Sequence, residues 1–298
     1  MFMSLLVVGN IAYDTIARVK FLPNRNQATS IENIILSNGG CAGNVAVVAN
    51  NLGVKTSLYS AVGEDFRDSS YQKQLLDFGI DLSYLQYTTE LTARSFIFSD
   101  ERENQQIYYY PGASSKLVER YIDFDRFTNI HFTAGEMSIY KNLMEKAKSA
   151  VISFDPGQEM FHRPVKEQII DCLSFVSYLF LNEHEYRFLL DFIGSNDTKD
   201  LFGRKMRAII VSRGKDGTTL YYRNEKIDIP AVNVKDVKDP TGAGDAHRAG
   251  FLAGIIKGFN EITACKIGNI AASFIIQEMG TQMNLPSWED IKKILETD

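Results

Sequence analysis

Short apolar runs alternate with longer amphipathic stretches along most of the chain, the pattern of strands buried on both faces and interleaved with helices. Leu5 to Val8 is such a run, ending at Gly9-Asn10 in a turn that leads to Asp14. Residues 15–37 show no clear crossover helix; after the loop Pro23-Asn24-Arg25-Asn26, Ile31 to Leu36 is strand-like, so the region reads as an insertion. Gly39-Gly40 opens a helix that runs to Leu52, with Gly53 as its stop. Ser57 to Val62 reads as a second parallel-type strand, and Tyr71 to Phe78 as an amphipathic helix ending at Gly79.

The pattern then changes. Thr92 to Phe98 and Gln106 to Tyr110 are rich in β-formers and flank the polar turn Ser99 to Asn104, which predicts a hairpin. With Ile31 to Leu36 it makes a small separate sheet that covers the strand ends as a lid, meets its counterpart in a homodimer, or does both. From Ile130 onward the runs Ile130–Phe132, Val151–Phe154, Tyr178–Leu181 and Ala208–Val211 alternate with helical segments. The longest helical runs are Ala243 to Gly258 and Ile262 to Met279, and Ser287 caps a last helix. The expected fold is α/β: one domain over 1–298, a central mostly parallel sheet flanked by helices, and a small β-sheet lid from about 15–38 and 91–111.

Composition narrows the function classes. A formal charge of −5 without a dense basic block disfavours nucleic acid, and no run reaches membrane-spanning length. Cys41, Cys172 and Cys265 are odd in number and far apart, which argues against disulfides and structural zinc. With no secretion leader at the N-terminus, the expected location is the cytoplasm. His131, His162, His184 and His247 are scattered, and packing or solvent exposure accounts for each.

The densest chemistry lies in Asp239-Pro240-Thr241-Gly242-Ala243-Gly244-Asp245, a turn feeding a helix. Gly242 and Gly244 let a ligand approach the backbone, and the helix start offers unpaired N–H groups and a positive dipole end, a site for phosphate. Asp245 beside such an anion site can take a proton from an attacking hydroxyl, or simply cap the helix. Polar residues recur at the ends of successive strands, which one shared crevice explains. Asn10 and Asp14 suit a polyhydroxylated ligand or a turn; Gly39, Gly40 and Asn44 suit close ligand approach or a tight helix start. Asn182 and Glu185, spaced i, i+3, can hold magnesium-bound water or form a capping box. Ser212-Arg213-Gly214-Lys215-Asp216-Gly217 lines a nucleotide or turns a hairpin. The small residues from Gly268 to Ser273 leave room for a flat base or for close helix packing.

Taken together these segments resemble the ribokinase-like (PfkB) family, the carbohydrate and nucleoside kinases related to minor phosphofructokinase. Asp239 to Asp245 is similar to its signature, Gly39-Gly40 with Asn44 to its N-terminal motif, and Asn182 to Glu185 to its Asn-x-x-Glu. The resemblance spans nearly the whole chain. It implies Asp245 as general base, the amides of Gly242, Ala243, Gly244 and Asp245 as anion hole, and Asn182 with Glu185 around Mg2+. It implies that Asn10, Asp14, Gly39, Gly40 and Asn44 bind substrate, that Ser212, Gly214 and Gly217 line ATP, and that Asn269 and Ser273 lie beside the adenine. A monovalent cation such as K+ near Asp239 and Thr241 is a property of some members. His247 departs from the usual Phe, and Cys41-Ala42-Gly43 from the Lys-containing run of many ribokinases. Gln282-Met283-Asn284-Leu285-Pro286 and the Asp-Pro-Thr-Gly form look most like archaeal nucleoside kinases.

The function implied is ATP- and Mg-dependent phosphorylation of the primary (5') hydroxyl of a nucleoside, with a ribokinase- or fructokinase-type sugar kinase as the alternative. A non-catalytic nucleotide-sensing protein is the alternative of another class, and the intact Asp245 argues against it. A Rossmann oxidoreductase is disfavoured because the glycine motif lacks its third glycine and comes late in the chain.

Overall fold

Each strand of the central sheet splits its side chains between two apolar layers. In β1 (Ser4–Val8), Leu5 and Val7 point to one face and Leu6 and Val8 to the other, all fully buried. That double burial is why these strands read as continuous apolar runs instead of alternating ones. The computed structural model describes residues 4–102, 104–161 and 165–296. Met1 to Met3 of the N-terminal run, Glu103 of the polar turn and His162 lie outside the described residues.

In chain order, β2 (Ala12–Val19) and β3 (Ile31–Gly39) precede α1 (Cys41–Asn51), and β4 (Lys55–Tyr59) and β5 (Ala61–Gly63) precede α2 (Ser70–Asp77). Next come β6 (Gln86–Thr88), β7 (Ala93–Ser99), β8 (Gln105–Tyr110) and β9 (Asn129–Phe132), then α3 (Tyr140–Lys146), β10 (Val151–Phe154) and α4 (Lys166–Leu173). The C-terminal part holds β11 (Tyr178–Asn182), α5 (Glu183–Ile193), β12 (Ala208–Ser212), β13 (Thr218–Tyr221), β14 (Lys226–Ile229), α6 (Ala243–Ile256), α7 (Glu261–Ile275) and α8 (Trp288–Leu295).

The 8-stranded sheet has the order β14-β13-β12-β11-β10-β9-β1-β4, parallel from β4 to β12 and antiparallel in its last two pairs. Helices α1, α6 and α7 cover one face, through Val45, Ala249, Phe251, Leu252 and Ile270; α3, α4 and α5 cover the other, through Leu143, Ile169 and Leu189. This is the expected mostly parallel α/β sheet flanked by helices.

The second sheet, β3-β2-β7-β8, corrects the reading of residues 10–19. Asp14 lies inside strand β2, which pairs with both β3 and β7, and not in a turn. A carboxylate in mid-strand hid the period-2 pattern of Ala12, Ile16 and their neighbours. Cross-strand registers show two unlike faces. Ser37, Asp14, Ser95 and Tyr109 form a polar row, whereas Leu36, Thr15, Phe96 and Tyr108 form a largely apolar one, with Leu36 80% and Tyr108 60% exposed. The run Ser57 to Val62 is also not one strand: it breaks at Ser60, and β5 leaves the central sheet to pair with β6.

Candidate active site

Helix α6 begins at the carboxyl end of the parallel strands with Gly242 as its N-cap, at φ 82°, and no side chain caps it. A Cβ on Gly242 would meet Thr281 at 2.9 Å. The Ala243 N–H turns back to the Pro240 carbonyl at 3.2 Å, while those of Gly244 and Asp245 have no acceptor among the described residues. This is the open helix terminus that the sequence pattern predicts.

Asp245 stands in the first turn of α6. Its Oδ2 accepts from Asn44 Nδ2 at 2.8 Å, across 201 residues of sequence. Asn44 is itself fixed, because its Oδ1 accepts from Thr281 Oγ1 at 2.8 Å and Gln282 Nε2 at 2.9 Å. Gln282 Nε2 also donates to Tyr71, whose hydroxyl donates to the Gly39 carbonyl, both at 2.8 Å. One network therefore joins α1, α2, α6, the end of β3 and the segment before α8. Asp245 is partly exposed, yet loss of solvation, seconded by the charge of Asp155, pushes its carboxyl up to about 6. Hydrogen bonding from Asn44 and the charge of Arg248 oppose the rise.

Asp14 faces the same region from β2. It is 5% exposed and lies so close to Gly39 that a Cβ there would sit 1.8 Å from its Oδ2, which is why the strand must end in glycine. Desolvation and the charges of Asp245 and Asp239 push Asp14 up to about 7, against a hydrogen bond from Ser95. Asn10 caps α1 at a distance: its Oδ1 accepts from the Cys41 N–H at 2.8 Å, and its Nδ2 donates to the Tyr109 hydroxyl at 2.9 Å. Gly40 is the N-cap of α1.

Asn182 and Glu185 form a reciprocal capping box on α5: Asn182 Oδ1 accepts from the Glu185 N–H at 2.9 Å, and Glu185 Oε2 from the Asn182 N–H at 2.8 Å. The cap leaves Glu185 Oε1 and the Asn182 Nδ2 group for other partners. Burial and the neighbouring Asp155 raise the Glu185 carboxyl. Asp239 ties two backbone segments together, accepting from the Thr241 N–H at 2.9 Å and the Gly280 N–H at 3.1 Å, while the buried Thr241 Oγ1 has no partner.

Ser212 ends β12, and Gly214 to Asp216 form the exposed turn of the antiparallel β12–β13 hairpin, held by the Arg213 N–H to the Gly217 carbonyl at 2.8 Å. Asn269 and Ser273 lie on a buried part of α7. Asn269 accepts from Thr218 Oγ1 at 2.8 Å and donates to the Pro230 carbonyl at 2.8 Å, and Ser273 Oγ donates to the Ile270 carbonyl at 2.7 Å. His247, 3.0 Å from Thr218 Oγ1, joins that network and stays neutral, its burial lowering it to about 3. His131 is likewise buried and lowered to about 3, with Ser153 Oγ 2.9 Å from its Nδ1.

Sequence reasoning missed Tyr71 and Thr281 and took Gln282 only as part of a family-like segment; all three act through contacts distant in sequence. It also missed Arg248, whose signal was the lone cation of a helix otherwise made mostly of small and apolar residues. Among the described residues no cluster of three His, Cys, Asp or Glu side chains could hold a metal, so a cation here would need ligands from water or from a substrate.

A family model described as pfkB family carbohydrate kinase matches residues 3–288. The chain belongs to this family. The pfkB match thus bears out both the expected family and the kinase class. Among curated relatives it is similar to the nucleoside kinase of Methanocaldococcus jannaschii, at 34% identity over 97% of this chain and 95% of that one. It is also similar to the nucleoside kinase of Methanothermobacter thermautotrophicus, at 35% identity over 95% and 92%. The crystal structure of the Methanocaldococcus jannaschii nucleoside kinase, an archaeal member of the ribokinase family, superposes with a TM-score of 0.89 at 32% identity, covering 100% of this chain and 99% of that one. The ribokinase-like fold is therefore the fold of this chain.

Proposed function

We propose that this pfkB kinase transfers the γ-phosphoryl group of ATP to the primary (5') hydroxyl of a nucleoside. The observation that carries the reading is the Asn44–Asp245 pair at the open start of α6: an oriented carboxylate beside unpaired backbone N–H groups. In the transfer, the acceptor oxygen forms a bond to the γ-phosphorus while the bond from that phosphorus to the bridging oxygen of ADP breaks. The hydroxyl proton goes to Asp245, and the open amides of Gly244 and Asp245 hold charge on the moving group. A carboxyl poised near 6 is still ionised at neutral pH and more basic than an ordinary carboxylate.

Asp14, Asn10, Gly39, Gly40 and Asn44 surround the acceptor in this reading, and Ser212, Gly214 and Gly217 border the nucleotide. Asn269 and Ser273, with their protein partners, shape the wall beside the adenine without offering it an unused hydroxyl. The free Glu185 oxygen and the crowding of Asp155, Glu185 and Asp245 suit Mg2+ held through water; when bound, the ion neutralises charge on the phosphate oxygens. The unpartnered Thr241 Oγ1 beside Asp239 suits K+ or another monovalent cation.

Nucleosides are preferred over sugars as acceptors because the Methanocaldococcus and Methanothermobacter relatives, similar over nearly their full length, are nucleoside kinases. A further structure similar to this chain, that of a Burkholderia thailandensis nucleoside kinase, was determined in complex with inosine; it has a TM-score of 0.89 at 26% identity and covers 99% and 97% of the two chains. A turnover panel with ATP and Mg2+ should show phosphorylation of nucleosides well above ribose, fructose and fructose 6-phosphate. Turnover of a sugar or sugar phosphate with none of a nucleoside would overturn the assignment.

The second sheet is the proposed lid, and its apolar row of Leu36, Phe96 and Tyr108 is the proposed homodimer contact. Light scattering at micromolar concentration should give a dimer; a monomer there would remove that contact. The free cysteines and the lack of a helix long and apolar enough to cross a membrane, among the described residues, support a cytoplasmic setting.

A further inference from the structure

One turn beyond Asp245, α6 carries Arg248 between His247 and Ala249. Its side chain is 6% exposed, and its Nε donates to Asp155 Oδ2 at 2.6 Å. Beneath it lies the Phe180 ring, with the guanidinium carbon 5.8 Å from the ring centroid. A guanidinium has five N–H donors, and among the described residues no protein acceptor is bonded to those on its two Nη atoms. Little of the side chain reaches bulk water, and Nη1 lies against the first turn of α6, 2.7 Å from where a Cβ on Gly244 would be. Any side chain at 244 would displace it.

Burying a charge is expensive, and leaving its donors unspent adds to the cost. Neutralising Asp155 would not by itself require the far edge of the guanidinium to rest on the residue whose N–H is also open. An oxyanion seated at the start of α6 would use both. We propose that Arg248 is a contact for the phosphoryl group being transferred, its Nη edge and the Gly244 and Asp245 amides forming one pocket for that group's oxygens, with Asp155 as the residue that positions it. The proposal rests on the kinase reading of this site. Arg248 makes no covalent bond and gives up no proton; it acts on charge that spreads over the γ-phosphoryl oxygens while the bonds described above exchange.

The test uses the full chain with Arg248→Met, which keeps much of the packing, together with Arg248→Lys and Asp155→Asn. Steady-state kinetics and calorimetric titration with Mg-ATP and with Mg-ADP are measured on each. Arg248→Met should lower kcat by about 10²-fold or more, the scale of a lost oxyanion contact, while the KM for the nucleoside changes little. Affinity for Mg-ATP should fall more than affinity for Mg-ADP, which lacks the γ-phosphoryl group, and Arg248→Lys should recover part of each loss. Asp155→Asn should show the same ATP-over-ADP bias, more weakly. A folded Arg248→Met protein with near-parental kcat, or with equal losses for ATP and ADP, overturns the proposal, since a structural role moves melting temperature and not that contrast. Should the Met variant fail to fold, the Lys variant decides by the same contrast. If the parent phosphorylates no acceptor, the functional reading fails, but the ATP–ADP contrast still decides Arg248.

Discussion

The two sides of the crevice are built by different means. On the proposed acceptor side, Asn44, Asp245, Tyr71, Thr281 and Gln282 hold one another through side-chain hydrogen bonds, and Asp14 is packed against Gly39 of the neighbouring strand. On the proposed donor side, the turn from Gly214 to Asp216 is exposed and held by backbone hydrogen bonds. Side-chain networks pin identity at each position, whereas a backbone turn pins only conformation. Substitutions on the first side should therefore change chemistry and acceptor recognition, and on the second only positions with special backbone geometry should matter.

The strongest way to break that contrast is Asp245→Asn, which keeps the size of the side chain and removes its capacity to take a proton. Folding and ATP binding should survive while kcat falls by about 10²–10⁴. In the parent, activity should decline as pH drops through about 6 and Asp245 becomes protonated, and the residual activity of the variant should lose that limb. A folded variant retaining more than about a tenth of parental kcat, outside the range for a lost base, would reduce Asp245 to a helix cap.

Asp14→Ala should weaken nucleoside affinity by about 1–3 kcal/mol, the scale of a lost hydrogen-bond partner, with little change in the KM for ATP. It carries a second readout. Folded Asp14 holds its proton to about pH 7, whereas an unfolded aspartate releases it near ~3.9. Between those values the folded chain binds more protons, so its stability declines as pH rises through the window, and the variant should flatten that decline. Melting curves that keep the parental pH slope, with unchanged nucleoside affinity, would take Asp14 out of the acceptor side.

The smallest effects sharpen the comparison on the donor side. Gly217 has φ 88°, and a Cβ there would be 2.2 Å from the Ile229 carbonyl oxygen, whereas Gly214 has φ 56° and open space around it. Gly217→Ala should cost about 3 kcal/mol of stability and raise the KM for ATP, while Gly214→Ala should cost about 1 kcal/mol. Equal effects from the two would mean that backbone geometry does not govern this turn.

Much of this was legible in the sequence because it is local. The apolar runs of β1, β9, β10, β11 and β12 name their own strands, and Gly242 to Asp245 names its own turn and helix start. Strand β2 was not legible, because Asp14 interrupts the pattern for the sake of the crevice. The partners of Asn44 were hidden for a related reason: Thr281 and Gln282 lie more than two hundred residues away, and no local pattern marks a residue whose role is to hold another. Asn182 and Glu185 show the converse, since one spacing suits either a helix cap or the proposed cation site, and the structure shows the cap directly.

The strand order has a consequence for synthesis. Strand β1 is made first but lies between β4 and β9, and the face formed by Leu5, Val7 and α1 is covered by α6 and α7, which leave the ribosome about two hundred residues later. At roughly 5–20 residues per second, that face waits tens of seconds for its cover, and Asn44 meets Asp245 only after 201 further residues have been made. A nascent chain stalled after Ile229 should therefore bind a hydrophobic dye that the finished protein does not. The polypeptide cannot begin to act as a kinase until α6 has joined α1, so a product terminated before α6 would be a client for chaperones and not a weakened enzyme.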